Sequence, residues 1–195
     1  MRRKSGNRHI SQATKLSIVM AFALAVGGCQ DGGSDNAENS IAGKNSDSKT
    51  LTAALGNNAD LSISAKLIGD AQLGPALDGK GSYTMFLPVD EAWKSLDTAE
   101  REAIESTENR PQLIAVLRQH IAPGYVLASD LESGFSKKDG AIILSTMGST
   151  PITLHRDGKE IALGQGKDSP RIVGQPIVAG NDVVYRIDRL IPPPG

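Results

Sequence analysis

Cys29 is the only cysteine among 195 residues. A lone thiol can be acylated, but it closes no disulfide within the chain and builds no thiolate cluster. Three histidines are present. His9 lies in an N-terminal segment that export would remove. His120 falls on an apolar helical face, which makes it a core residue, and His155 falls on a hairpin strand. Two histidines with carboxylates can hold a metal, yet no ligand spacing accompanies them. Gly164-Gln165-Gly166-Lys167 has too few glycines, in the wrong context, to cradle a phosphate; it reads as a loop beside a hairpin. No Gly-x-Ser-x-Gly elbow presents a nucleophilic serine. Glu100, Glu102, Glu105 and Glu108 read as a solvated helix face. These residues predict no enzyme, no metal site and no cofactor.

The surroundings of Cys29 say more than its own chemistry. Arg2, Arg3, Lys4, Arg8 and Lys15 precede it without one acid; an apolar run over 16–26 follows, then Gly27 and Gly28. That order is the charged region, apolar region and small-residue cleavage site of a secretory signal peptide. The run is about half of the ~20 apolar residues a spanning helix needs. A cysteine directly after the small residues resembles the lipobox of bacterial lipoproteins. The resemblance implies cleavage before Cys29, a diacylglycerol on its thiol and attachment to a membrane through acyl chains, of which two or more hold stably. Gln30, not Asp, follows the cysteine, which implies the outer membrane, facing periplasm or cell surface, if the host is Gram-negative.

The whole chain holds 21 basic and 22 acidic residues, and residues 1–28 carry only basic ones. The mature chain is therefore acidic, with no electrostatic case for nucleic acid or anionic lipid as a partner. Residues 30–48 have almost no apolar side chains and read as a flexible tether. The expected organisation is a signal peptide over 1–28, lipidated Cys29 and tether over 29–48, and one folded domain over 49–193. A domain of this size buries ~68–70% of its unfolded surface and needs no disulfide.

Within the domain, helices come first. Short helical patterns cover 50–55 and 60–77, and Gly79-Lys80-Gly81 stops the second. Residues 83–89 suit a buried strand that Pro88 closes. Asp97 with Glu100 makes a capping box for a helix over 98–106. Asn109 is a plausible cap for the next helix, with Pro111 in its first turn. That helix places Leu113, Val116, Leu117, His120 and Ile121 in one apolar stripe, ended by Pro123-Gly124. Strands follow over 141–145, 152–155, 160–163, 172–178 and 183–191. Asp157-Gly158 and Gly180-Asn181-Asp182 mark hairpin turns. Val183, Tyr185 and Ile187 alternate with Arg186 and Asp188, so one face of the last strand is buried. No internal repeat appears. The order predicts an α+β fold.

Four segments in order carry a family likeness. Thr84, Phe86, Pro88, Asp90 and Ala92, with Trp93 in place of the usual Phe, resemble the first signature of the fasciclin domain. The segment 117–124, with His120, Pro123 and Gly124, resembles its central Tyr-His motif. Ala128, Asp130 and Leu131 resemble the Ala-x-Asp-Leu that follows. Asn181, Val183, Ile187, Asp188 and Pro193 resemble the second signature. The resemblance implies a single α+β domain, an antiparallel β wedge packed with helices. In it Thr84, Phe86, Pro88, Asp90, Trp93, His120 and Asp188 are structural. Asp90 is expected to cap the helix it opens, Trp93 to point to the core, and His120 to donate to a backbone carbonyl across the domain.

Departures narrow the function. Gln119 stands where the family has Tyr, and Tyr185 where the second signature has His. Pro176-Ile177 replaces the Asp-Ile pair implicated in integrin binding in some animal members, and no Arg-Gly-Asp occurs. The resemblance therefore implies a non-enzymatic adhesion or protein/glycan-binding module at the cell envelope, without an integrin mechanism. Some fasciclin-like proteins bind carotenoids, so a carrier of a small apolar ligand, a carotenoid or lipid, is the alternative.

Overall fold

The computed structural model describes residues 44–45, 50–137 and 140–192. Cys29, the signal segment and most of the tether lie outside them. Helix α1 (Leu51–Gly56) begins where Thr50 Oγ1 accepts the Ala53 amide at 3.3 Å, an N-cap. The pattern over 60–77 forms three pieces instead of one helix. They are a 3-10 turn (Ala59–Leu61), α2 (Ser62–Asp70) and α3 (Gly74–Leu77), with Gln72 at a φ of 57° between the last two. Then come α4 (Asp90–Lys94), α5 (Thr98–Glu105) and α6 (Arg110–Gln119). Asp97 Oδ1 accepts the Glu100 amide at 2.8 Å. Asn109 makes no side-chain cap; Pro111 sits in the first turn of α6. Helix α7 (Ala128–Lys137), absent from the sequence expectations, buries Leu131 and Phe135 one turn apart.

The described strands are β1 (Lys44–Asn45), β2 (Tyr83–Pro88), β3 (Ile121–Pro123), β4 (Ala141–Leu144), β5 (Ile152–Asp157), β6 (Glu160–Leu163), β7 (Ile172–Ala179) and β8 (Asp182–Ile187). They form a five-stranded sheet, β1-β7-β8-β2-β3, and a three-stranded sheet, β4-β5-β6. The smaller sheet is antiparallel throughout. In the larger, β2–β3 and the hairpin β7–β8 are antiparallel, while β2 lies parallel to β8 with Phe86 opposite Tyr185. A parallel pair needs a long crossover, and the chain between β2 and β8 contains most of the helices and the whole small sheet.

Ile121, expected as the last apolar position of a helix, pairs instead with Met85. Helix α6 stops at Gln119 and His120 is its C-cap. A three-residue strand leaves no period to read, so the helical stripe ran past its true end.

The two middle strands are buried on both faces, not one. Met85 and Leu87 of β2 and Val184 of β8 join one core with α1, α2, Trp93, Leu113 and Leu117. Phe86, Val183, Tyr185 and Ile187 join a second core with α7, Leu154 and Leu163. Alternation sends successive side chains to opposite faces, and each face here has its own cover. The sheet is the shared wall of two apolar layers.

Candidate functional site

Thr84 is buried on β2. Its hydroxyl donates to the Gly124 carbonyl at 2.8 Å and accepts the Val126 amide at 3.0 Å. Tyr185 reaches the same loop, donating to the Val126 carbonyl at 2.9 Å. Burial, with Asp130 and Tyr125 adding to it, pushes the phenol above its ordinary range, so it stays a neutral donor. Phe86 stacks on Tyr185 with ring centroids 5.5 Å apart. These groups fix the chain between β3 and α7.

Pro88, Asp90 and Trp93 hold α2. Asp90 is buried, and its carboxylate accepts the Ser62 hydroxyl at 2.5 Å and the Ile63 amide at 2.9 Å. It caps the start of α2, not the helix it opens, because the two helices meet there. Trp93 Nε1 donates to Ser64 Oγ at 2.8 Å, and Ser64 donates to the Pro88 carbonyl at 2.8 Å. Ser64 went unread in the sequence. Its signal was a hydroxyl three residues after Leu61 and four before Ile68, within an apolar stripe; a buried hydroxyl needs a partner.

His120 is fully buried, with its two ring nitrogens in different roles. Nδ1 lies 2.8 Å from the Val116 carbonyl and Nε2 3.0 Å from the Ile191 amide. A carbonyl only accepts and an amide N–H only donates, so the ring is neutral, with its hydrogen on Nδ1. It donates within its own helix and accepts across the domain, the reverse of the expectation. Burial lowers its pKa to about 4, with the Val116 bond opposing. The segment 188–192 that it holds is tied at its start as well. Asp188 Oδ1 accepts the Arg171 amide at 2.7 Å, and the Asp188 amide donates to the Arg171 carbonyl at 3.1 Å. Asp182, read only as a turn residue, is buried at the start of β8. It accepts the Tyr83 amide at 2.7 Å, and burial raises its pKa.

Two hollows flank segment 189–192. One, of about 1120 Å³, lies between α5, α6 and that segment and is lined by Leu96, Ile104, Ala115, Val116, Met147 and Leu190. The other, of about 550 Å³, is edged by backbone and small polar side chains of 164–170 with Thr150 and Thr153. Both share Gln119, Asp168, Ile191 and Pro192. Gln119, in the place of the family's Tyr, is buried and donates to the Thr150 carbonyl at 2.8 Å.

The arrangement is suited to holding shape and presenting surface. Among the described residues, no three of His, Cys, Asp and Glu converge on a possible metal position. His155 is half-buried on β5 with Nδ1 unpaired, while Asp182, the one acid among the described residues that burial raises, belongs to the other sheet. No described helix is long and apolar enough to cross a membrane.

Comparison with known proteins agrees with this architecture. The Fasciclin domain model matches residues 59–193. Protein sll1483 of Synechocystis is 26% identical over 145 residues, 74% of both chains. Human periostin is 31% identical over 121 residues, which cover 62% of this chain and 13% of that protein. The solved fasciclin domain pair of the insect cell adhesion molecule Fasciclin I superposes with a TM-score of 0.65 at 16% identity. That match covers 74% of this chain and 51% of the other. The chain thus spans about half of that structure and a small fraction of periostin.

Proposed function

Since the chain belongs to the fasciclin domain family, we propose that it is a non-enzymatic binding module that mediates adhesion, or protein or glycan contact, at a cell envelope. The observation that carries the reading is the family match across residues 59–193; the insect structure it resembles is described as a cell adhesion molecule. The buried family-motif side chains are engaged in hydrogen bonds or packing, so binding falls to loops and grooves on a rigid frame. We further propose a diacylglycerol on Cys29, which places the domain at a membrane surface behind the 30–48 tether. Capture from native envelope with the acylated protein, against a Cys29→Ser form, tests the two parts. Recovery of a stable protein or glycan partner is expected; none in either form would refute the binding module. Mass spectrometry finding an unacylated Cys29 in native membranes would remove the anchor alone.

One observation favours the second reading, a carrier of a small apolar molecule. The groove of about 1120 Å³ beside α5 and α6 is at or above the upper end of the ~300–1,000 Å³ typical of ligand sites. A coloured or lipid-loaded protein after native purification is the expected sign.

A further inference from the structure

The groove beside α5 is largely apolar and only partly covered. Helix α5 has no buried residue at all, although Ala103 and Ile104 turn toward the hollow. From α6, Ala115 and Val116 face it one helical step away from the core positions Leu113 and Leu117. An apolar stripe on a helix ordinarily finds cover; here Leu96, Ile104, Val116, Met147 and Leu190 are half-buried against the core, with the hollow on their outer side.

The rim has a charge character. Arg118 and Arg189 line the groove with Glu100 and Asp168. Asp168 is engaged by Arg189 Nη1 at 3.1 Å, an exposed pair. A guanidinium has five donors, so most of the Arg189 fork is open, and Arg118 makes no ion pair among the described residues. Glu100 is the only carboxylate of the lining without a cation. Two guanidinium groups therefore stand at the rim of an apolar trough, that of Arg118 without an ion pair among the described residues, and a guanidinium matches a carboxylate in a planar, two-point contact.

We propose that this groove binds a long-chain carboxylic acid, with the hydrocarbon along α5 and α6 and the carboxylate on Arg118, joined by Arg189. The proposal rests on the carrier reading and names its ligand class. The wall it uses, segment 189–192, is held at Ile191 by the neutral His120 ring.

Calorimetric titration of the full chain with dodecanoic, tetradecanoic and hexadecanoic acids, below their micelle concentrations, tests it. Saturable one-to-one binding is expected, tightening about fifteenfold for each two-carbon step. Ala115→Trp, or Ala103→Trp if the first variant fails to fold, should abolish binding with the thermal melt unchanged. Arg118→Gln should weaken hexadecanoic acid about tenfold and leave hexadecanol unaffected. Hexadecanol binding as tightly as the acid, or hexadecylamine binding more tightly, overturns the acid while leaving the carrier reading intact. If neither acid, alcohol nor amine binds, the long-chain acid falls, and the carrier reading falls with it only where natively purified protein is also colourless and free of lipid. Binding that survives both Trp variants but is lost in Ile143→Ser would place the ligand on the exposed β4 side chain and overturn the site.

Discussion

His120 carries the clearest consequence of a single residue. A proton added at Nε2 would point at the Ile191 N–H, donor against donor, and would have to be carried inside an apolar core. The folded state therefore resists the proton, with a pKa of about 4 against the ordinary 6.5, and the unfolded chain takes it first. Stability from this group is complete above pH 6.5. It declines as pH falls toward 4 and levels off below that, after a loss on the order of 3 kcal/mol. Urea titrations from pH 7.5 to 4 should show the decline in the wild type. In His120→Gln the difference between pH 7 and pH 5 should shrink by about 2 kcal/mol. Equal slopes in the two proteins would mean that His120 does not govern the acid response. Ser64 offers a second test at this scale. Ser64→Ala leaves the Trp93 indole N–H without a partner, and chemical denaturation should register a loss of about 1–3 kcal/mol.

At the scale of elements, contacts between neighbours decide what each residue does. Asp90 opens α4 but spends its carboxylate on α2. Asp90→Ala should destabilise by about 1–2 kcal/mol, while Asp90→Asn, which still accepts the Ile63 amide, should lose less. A loss equal to that of Ala would show that charge, not acceptance, matters. The loop after β4 presses on α6 through Gly148, where an added Cβ would lie 3.0 Å from the Gln119 Cα and 3.1 Å from its amide nitrogen. Both are backbone atoms that cannot swing away, so Gly148→Ala should cost about 1–3 kcal/mol, read as a lower melting temperature. Such contacts also mark where sequence reading stops. The Asp97 cap, the Leu113–Leu117 face of α6 and the two hairpin turns are local signals, and the structure has them. The partner of Asp90, the pairing of Ile121 with Met85 and the parallel contact of β2 with β8 depend on residues far apart in the chain, and no local period encodes them. Helix α7 falls between these cases: Leu131 and Phe135 lie one turn apart, too few positions to establish a stripe.

The whole molecule divides its labour along the chain. The described contacts that stabilise it are apolar layers on both faces of one sheet, closed by hydrogen bonds that Thr84 and Tyr185 donate and that Asp90 and His120 accept. The described residues contain no thiol, and the single cysteine stands far upstream of the family match over 59–193. The groove proposed to receive a ligand is lined by Leu96, Ile104, Val116, Met147 and Leu190, which on their other side pack against the larger core. Lipid attachment, if it occurs at Cys29, acts on location without acting on the fold. In Cys29→Ser the protein should therefore leave the membrane fraction while its denaturation midpoint and slope stay those of the wild type, with or without reductant. The slope follows the surface exposed on unfolding and the midpoint is the ratio of stability to slope, and the described cores that set both contain no part of residue 29. A lowered midpoint in the variant would show that the N-terminal segment packs on the domain. A variant that stays in the membrane fraction after removal of residues 1–28 would show that the domain itself holds the bilayer, for which the acidic mature composition gives no electrostatic reason.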